Sequence, residues 1–164
     1  MTAEDVIRHL NLQPHPREGG WFAETYRSET RVTPDDYPSS RHHSTAIYYL
    51  LTPDTFSRLH RLRSDEVFHH YAGDTVEMLQ LHPDGRAEVI LISSRLREGE
   101  RPQVLAPKHV WQGSRLRPGG SWALLGCTVA PGFEYEDYED ETREYFLARY
   151  AQHSDLIAAL TPED

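Results

Sequence analysis

Short runs of aromatic and β-branched residues, each followed by a turn signal, recur along the chain from Trp21 to about Val129. These runs predict strands at Trp21–Arg27, Thr45–Leu51, Phe56–Leu59, Glu66–Tyr71, Thr75–Leu81, Ala87–Ile92, Gln103–Leu105, Trp111–Arg115 and Trp122–Thr128. Strands this short and this evenly spaced are typical of a β-sandwich or a β-barrel. The pattern therefore predicts an all-β fold.

The two ends of the chain show helical spacing instead. Thr2, three residues before Asp5, is typical of a capping box, and the apolar residues that follow it predict a short N-terminal helix. The tail from about residue 141 to 160 predicts one or two helices over an end of the barrel, on the apolar residues Tyr145, Phe146, Leu147, Leu156, Ile157 and Leu160. We expect one domain over residues 1–164, with its barrel core at about 20–135.

Charge and composition narrow the classes of partner. Acidic residues outnumber basic residues by 26 to 17, which gives a net charge of -9 and disfavours nucleic acid as a ligand. No apolar run reaches the roughly 18 residues of a membrane span, and the N-terminus lacks the order of a signal peptide. We therefore expect a cytoplasmic protein without a membrane partner. Cys127 is the only cysteine and lies in an apolar stretch, so we expect a buried, inert thiol rather than a nucleophile.

The densest group of polar residues lies between His60 and Asp74. Period-two alternation places Arg58 and His60 on one face of a strand. On the next strand it places Glu66 on one face with Phe68 and His70. His60 and Glu66 then point into one cavity, where they can serve as base and orienter in a proton transfer or hold a divalent metal. The alternative is structural: His60 is a core histidine, and Glu66 forms an ion pair with Arg58.

Spacing in this segment resembles the first cupin motif, because His60, Glu66 and Gly73 stand at the motif's intervals. The stretch from Pro107 to Gln112 resembles the second motif. Three positions depart from the pattern: Asp54 replaces a glycine, and Leu62 and Gln112 replace histidines. A typical cupin metal is held by three histidines and a glutamate. The resemblance therefore implies at most a metal site of His60, Glu66 and Gln112, in which a neutral amide replaces an imidazole.

More of the chain resembles the uncharacterised single-domain cupin-5 family, formerly a domain of unknown function. The matching stretches cover the chain from about residue 13 to 160 and are His15-Pro16 to Ser28, Ala46 to Leu51, His60 to Asp74 and Cys127 to Phe133. This resemblance implies a jelly-roll β-sandwich with short terminal helices, an open-mouthed pocket and a homodimer. It implies no particular reaction.

Two further segments have alternative interpretations. Alternation places Glu24 and Tyr26 opposite Arg27, so that the strand either lines the pocket with one face, through Tyr26, or forms a dimer interface. Trp111 precedes Gln112 and either walls the cavity or belongs to the core. The charged run from Asp137 to Glu144 is expected to be a solvated face that begins a helix.

Three functional hypotheses follow. The first is an isomerase-like or epimerase-like enzyme for a small polar metabolite, with His60 and Glu66 as the catalytic pair. Cupin relatives that epimerise nucleotide-linked sugars without a metal use a histidine, a carboxylate and a tyrosine, and the resemblance leaves Tyr26, Tyr48 and Tyr71 as candidates for the tyrosine. The second is a metal-dependent oxygenase or isomerase. The third is a pocket that binds a carbohydrate-like or purine-like ligand without catalysis. Common hydrolase, kinase and dehydrogenase motifs are absent from the sequence.

Overall fold

A computed structural model describes residues 1–163 of the chain. The first helix, α1 (Ala3–Leu10), begins with the predicted capping box: the Asp5 amide donates to the Thr2 hydroxyl, and the Thr2 amide donates to the Asp5 carboxylate. Near the C-terminus, α2 (Arg143–Leu147) and α3 (Ser154–Ala159) confirm the predicted terminal helices. Single turns of 3₁₀ helix occur at Leu96–Glu98, Tyr135–Asp137 and Ala151–His153.

The remaining elements are strands, and every strand predicted from the alternation is present. In chain order they are β1 (Gln13–Pro14), β2 (Trp21–Arg27), β3 (Arg31–Val32), β4 (Arg41–His42), β5 (Thr45–Leu51), β6 (Phe56–Arg61), β7 (Asp65–Gly73), β8 (Val76–Leu81), β9 (Ala87–Ile92), β10 (Gln103–Ala106), β11 (Trp111–Leu116), β12 (Ala123–Ala130) and β13 (Glu139–Asp140). The four strands that the sequence did not predict have two residues each, too few for an alternating pattern.

The strands form two large antiparallel sheets and one small ribbon. The first sheet has the order β1-β2-β5-β12-β7-β10, and the second has the order β13-β6-β11-β8-β9. Strands β3 and β4 pair separately. Strands that are neighbours in a sheet are often distant in sequence, as with β5, β12 and β7. This arrangement confirms the all-β jelly-roll sandwich with short terminal helices.

The main core lies between the two sheets. Phe68 is fully buried there, among aliphatic and aromatic residues of both sheets such as Tyr49, Met78 and Leu125. Truncating a buried aromatic ring of this kind typically costs ~3–5 kcal/mol. The structure thus assigns Phe68 to the core, and it does not line the cavity described below.

A second apolar cluster joins helices α2 and α3 to the outer face of the second sheet. Trp111 packs there edge-on against Phe146, with ring centroids 5.1 Å apart, and the guanidinium of Arg61 covers its other side. Because side chains alternate along β11, Trp111 faces the helices while Gln112 faces the barrel interior. The expectation that Trp111 walls the cavity is therefore wrong.

An acidic segment, Glu134–Asp140, crosses the barrel end and is called the strap here. Each of its carboxylates is within 3.0 Å of an arginine of the barrel: Glu134 of Arg27, Glu136 and Asp137 of Arg41, Glu139 of Arg61, and Asp140 of Arg58. Arg41 is fully buried, and Asp137 is only 4% exposed. The expectation of a solvated face is thus wrong at Asp137, which forms a buried ion pair.

Candidate functional site

A cavity of about 180 Å³ opens on the inner face of the first sheet. Glu66 and Cys127 line it, and each is less than a tenth exposed. The walls are mainly apolar, and the more exposed residues Glu24, Arg27 and Tyr135 surround the mouth.

Strand β7 places Glu66 in the lining of this cavity. Glu66 pairs with Val129 of β12 and Ala106 of β10, so it lies in the interior of the sheet and is 7% exposed. Burial raises the pKa of Glu66 well above its ordinary value, the negative charge of Glu18 raises it further, and a hydrogen bond from the Cys127 thiol partly offsets both. These surroundings favour the protonated acid.

Three of the sequence-predicted residues meet in one hydrogen-bonded chain. The side-chain nitrogen of Gln112 lies 2.9 Å from His60 Nε2 and 3.0 Å from Glu66 Oε2, so it donates to both. His60 Nδ1 lies 2.8 Å from the Arg58 carbonyl oxygen and must donate to it. This network assigns the neutral His60 tautomer with its proton on Nδ1, because Nε2 accepts from the amide.

His60 lies behind the cavity rather than in it. Its side chain is 1% exposed and stacks on the ring of Tyr138, with centroids 4.8 Å apart. Tyr138 belongs to the strap, so the Arg41–Asp137 ion pair one residue away also holds this stack. Of the three residues in this hydrogen-bonded chain, only Glu66 is among the described residues that line the cavity.

Glu18 is a cavity residue that the sequence analysis missed. Its Oε1 accepts a hydrogen bond of 2.6 Å from the Ser57 hydroxyl, and its Oε2 lies 3.8 Å from His15 Nε2 and 4.0 Å from His60 Nε2. His15 also lines the cavity, and burial lowers its pKa more than the charge of Glu18 raises it. In the sequence, Glu18 stands out only as part of the stretch from His15 to Ser28 that resembles the cupin-5 family.

The backbone of this loop explains how Glu18 reaches the interior. The Arg58 amide donates to the Glu18 carbonyl oxygen at 2.9 Å, which ties the loop to β6. Gly19 follows with φ +98°, and a β-carbon there would lie 2.2 Å from the Phe56 carbonyl oxygen. A glycine pair directly before a strand was the available signal, and the cupin-5 resemblance includes it.

A β-bulge in β2 changes which residues face the cavity. The register with β5 shifts between Glu24 and Tyr26, so Thr25 is the extra residue. Glu24 and Arg27 therefore lie on the same side, line the cavity and form an ion pair at 2.7 Å. Tyr26 is 53% exposed and does not line the cavity. The expectation that Glu24 and Arg27 lie on opposite faces is wrong, and so is the placement of Tyr26 in the pocket.

A second bulge, in β6, displaces Arg58. Gln112 pairs with His60 and Ser114 pairs with Ser57, so two residues of β6 oppose Gly113 alone. His60 remains inside, but Arg58 points away and pairs with Asp140 at 3.0 Å. The prediction that Arg58 lines the pocket is therefore wrong, and so is its predicted ion pair with Glu66.

His70 is also outside the cavity. Its Nε2 lies 3.3 Å from the Asp74 carbonyl oxygen near the far end of β7, and it is not among the described residues that line the cavity. The register of β12 against β7 shifts beside it, between Leu124 and Leu125. The structure therefore brings together His60, Glu66 and Gln112, and it places Arg58, Phe68, His70, Trp111 and Tyr26 elsewhere.

The donor atoms here do not fit the metal site that the cupin resemblance implies. Within residues 1–163, no group of three or more His, Cys, Asp or Glu side chains is arranged to hold a metal ion. Gln112 turns its nitrogen, which has no free lone pair, towards His60 and Glu66. The imidazole nitrogen that a metal would need accepts that N–H instead. In this arrangement His60, Glu66 and Gln112 do not form a metal site.

Comparisons with known proteins agree with this architecture. A hypothetical protein from Leishmania major and a Shewanella oneidensis protein each superpose with a TM-score of 0.89 at 35% identity, and the matches cover at least 99% of each chain. Oxalate decarboxylase from Bacillus subtilis superposes with a TM-score of 0.55 at 14% identity, over 94% of this chain and 38% of that one. The similarity to oxalate decarboxylase shows a shared fold and nothing more.

Sequence relatives identify the family. The uncharacterised protein YML079W of Saccharomyces cerevisiae is 30% identical over 160 residues, which covers 87% of this chain and 79% of the yeast protein. The model of the family described as "Cupin superfamily (DUF985)" matches residues 4–140. The match includes the cavity and the whole strap. On these findings the chain belongs to the Cupin_5 family of the cupin superfamily.

Proposed function

We propose that this cupin binds a small polar metabolite in the cavity and shifts a proton within it, as an isomerase-like or epimerase-like enzyme. The observation that carries this proposal is the pair of carboxyl groups at one cavity. Glu66 is buried in surroundings that favour its protonated form, and Glu18 supplies the negative charge that helps to keep it so. A carboxyl group whose surroundings raise its pKa, next to a second carboxyl group, is typical of an acid with its base partner.

The proposed step balances without a cofactor. The Glu18 carboxylate accepts a proton from one atom of the bound molecule, and Glu66 donates its proton to a second atom. The electron pair left at the first atom moves towards the second, so the molecule is isomerised and no atom is gained or lost. The return of the proton from Glu18 to Glu66, directly or through water, restores the starting state.

His60 and Gln112 are positioning residues in this proposal. Gln112 donates to Glu66 Oε2, which leaves Oε1 to carry the acidic proton. His60 accepts the other N–H of the same amide and is itself fixed by the Arg58 carbonyl oxygen. This assignment modifies the expectation from sequence, in which His60 is itself the acid or base.

Hydrogen exchange tests the proposal without knowledge of the substrate. The full-length protein is incubated in D₂O with pooled aldoses, ketoses, amino acids, hydroxy acids and amines, and mass spectrometry detects deuterium that enters carbon positions. We expect incorporation with the wild type and with the Glu29→Gln control, whose side chain is exposed. With Glu66→Gln we expect it to fall by about 100-fold or more. Equal incorporation by Glu66→Gln would contradict the role of Glu66.

A binding protein without catalysis is the second candidate. It is favoured by the placement of His60, whose reactive nitrogen accepts a hydrogen bond from Gln112 and does not line the cavity. A pool component that binds in the cavity but gains no deuterium and stays chemically unchanged would establish this alternative.

The remaining expectations concern the state of the protein. The homodimer that the cupin resemblance implies stays a prediction, which sedimentation equilibrium of the full chain would test. The cytoplasmic location also stays a prediction. Among residues 1–163, no helix combines the length and the apolar character that a membrane crossing requires.

A further inference from the structure

The cavity is too small for a large metabolite. Its volume of about 180 Å³ is below the ~300–1,000 Å³ of sites that hold drug-sized ligands. A nucleotide-linked sugar would need several times this space. Any ligand that the cavity encloses is therefore a compact molecule, or the compact end of a longer one.

The positive charge at the mouth is already neutralised. Arg27 donates from Nε and Nη2 to the Glu24 carboxylate, at 3.0 and 2.7 Å, and from Nη1 to Glu134 at 3.0 Å. Two carboxylates thus surround one guanidinium, so an anionic ligand would have to displace one of them. Acidic groups are in excess even at this end of the cavity.

The inner carboxylate has an open position. Glu18 Oε1 accepts from Ser57, but Oε2 is beyond hydrogen-bond distance of both imidazoles near it, at 3.8 and 4.0 Å. Among the described residues it has no hydrogen-bond donor at Oε2. The Glu18 side chain is 12% exposed, so water cannot fully solvate it. A partly buried carboxylate with one unpaired oxygen is a site for a donor with positive charge.

Aromatic rings complete the walls. Phe22 lies beside His15, with ring centroids 4.7 Å apart, and Phe133 packs edge-on against Tyr135 at 5.0 Å. All four residues line the cavity. Aromatic rings attract organic cations through their negative faces, and they also accommodate flat apolar groups.

From the size, the charges and the rings together, we infer that the cavity selects a compact organic cation, such as a protonated nitrogen base, with Glu18 as its main counterion. This inference rests on the proposed function in one respect, the assignment of the cavity as the ligand site. It adds the chemical class of the ligand, and it does not depend on which proton is moved.

Three molecules of nearly identical shape test the inference. The three have the same phenyl ring, and the substituent is positive in benzamidinium, neutral in benzamide and negative in benzoate. Isothermal titration calorimetry measures the binding of each to the full-length protein. We expect benzamidinium to bind at least about tenfold more tightly than benzamide, and benzoate more weakly than either.

Two variants connect the preference to Glu18. Glu18→Gln keeps the acceptor for Ser57 and loses the charge, so we expect benzamidinium to bind about tenfold more weakly while benzamide changes by less than about twofold. The exposed Glu29→Gln variant controls for net charge and should bind like the wild type. Thermal unfolding confirms that both variants fold.

Several results would overturn the inference. Tighter binding of benzoate, equal binding of all three molecules, binding of none of them, or an unchanged preference in Glu18→Gln would each do so. The proposed function is judged separately, because it requires deuterium incorporation that Glu66→Gln abolishes. If the protein preferred benzoate and still incorporated deuterium in this way, the proposed enzyme activity would stand and only the inferred ligand class would be wrong.

Discussion

Glu66 and Glu100 are the same side chain in two buried places, and their surroundings shift their pKa values in opposite directions. Glu100 is 2% exposed and accepts hydrogen bonds from Thr75, at 2.7 Å, and from Ser93. Burial alone would raise the pKa of Glu100, but these hydroxyl groups and the nearby Arg95 and Arg117 lower it.

Glu66 has no such compensation. Its partners are an amide and a thiol, and the nearest charge that acts on it is the negative charge of Glu18. Burial therefore does not decide what a carboxyl group does in this fold. Where the carboxylate is structural, the chain surrounds it with hydroxyl groups and arginines. Among the described residues, neither a hydroxyl group nor an arginine is a partner of Glu66, which is the pattern expected of an acid rather than of a stabilising anion.

The largest expected effect separates the two glutamates by activity. Glu66→Gln keeps the acceptor for Gln112 but has no acidic proton, so we expect deuterium incorporation to fall by about 100-fold or more. Glu100→Gln leaves the cavity untouched and should retain wild-type incorporation per folded molecule. If Glu100→Gln lost deuterium incorporation and Glu66→Gln kept it, the roles assigned to the two glutamates would be wrong.

A third buried carboxylate extends the comparison to stability. Asp137→Ala leaves the fully buried Arg41 without the two hydrogen bonds that it now donates at 2.6 and 2.8 Å. Breaking one side of a buried ion pair typically costs ~3–5 kcal/mol. Arg41 keeps its ion pair with Glu136 at 2.7 Å, so we expect a loss of about 3 kcal/mol, the lower end of this range, in urea unfolding. Glu141→Ala, whose side chain is exposed, should lose almost nothing. A loss below ~1 kcal/mol would show that water replaces the partner.

These residues also show how far the sequence leads. Alternation and turn residues predicted the strands, because both depend on local backbone preferences. Motif spacing brought His60, Glu66 and Gln112 together. The pairing of Arg41 with Asp137 was not predictable, because it joins residues 96 positions apart across a contact that only the folded chain creates.

The errors have a common physical origin. Arg58 and Tyr26 were assigned to faces by strict alternation, and each follows or lies within a β-bulge that shifts the register. A bulge depends on the partner strand as well as on its own residues, so a single strand's sequence does not reveal it. Glu18 was missed because a loop has no periodicity from which to infer a direction.

A smaller loss of stability is expected when the structural glutamate is removed. Glu100→Ala leaves the hydroxyl groups of Thr75 and Ser93 buried without their acceptor, and each unsatisfied group costs ~1–3 kcal/mol. Urea unfolding should show a loss of about 2 kcal/mol, while Glu98→Ala, at an exposed neighbouring position, should change little. An unchanged stability would mean that the two hydroxyl groups find other partners.

The smallest effect is a dependence on pH that has opposite sign for the two glutamates. Folding raises the pKa of Glu66 above its ordinary value of 4.5, so the folded state holds more protons than the unfolded state above that pH. The free energy of unfolding of the wild type should therefore fall, relative to Glu66→Gln, as pH rises from about 4.5 through the raised pKa.

Folding lowers the pKa of Glu100, so its contribution is present above pH 4.5 and is lost as pH falls through the lowered value. Relative to Glu100→Gln, the wild type should therefore lose stability in acid. Urea unfolding of the three proteins from pH 3.5 to 8, as differences from the wild type, measures both slopes. Titrating groups that do not interact with the substituted residue cancel in these differences. Parallel curves for the two variants would contradict the opposite pKa shifts of Glu66 and Glu100, and the acid role of Glu66 would then fail.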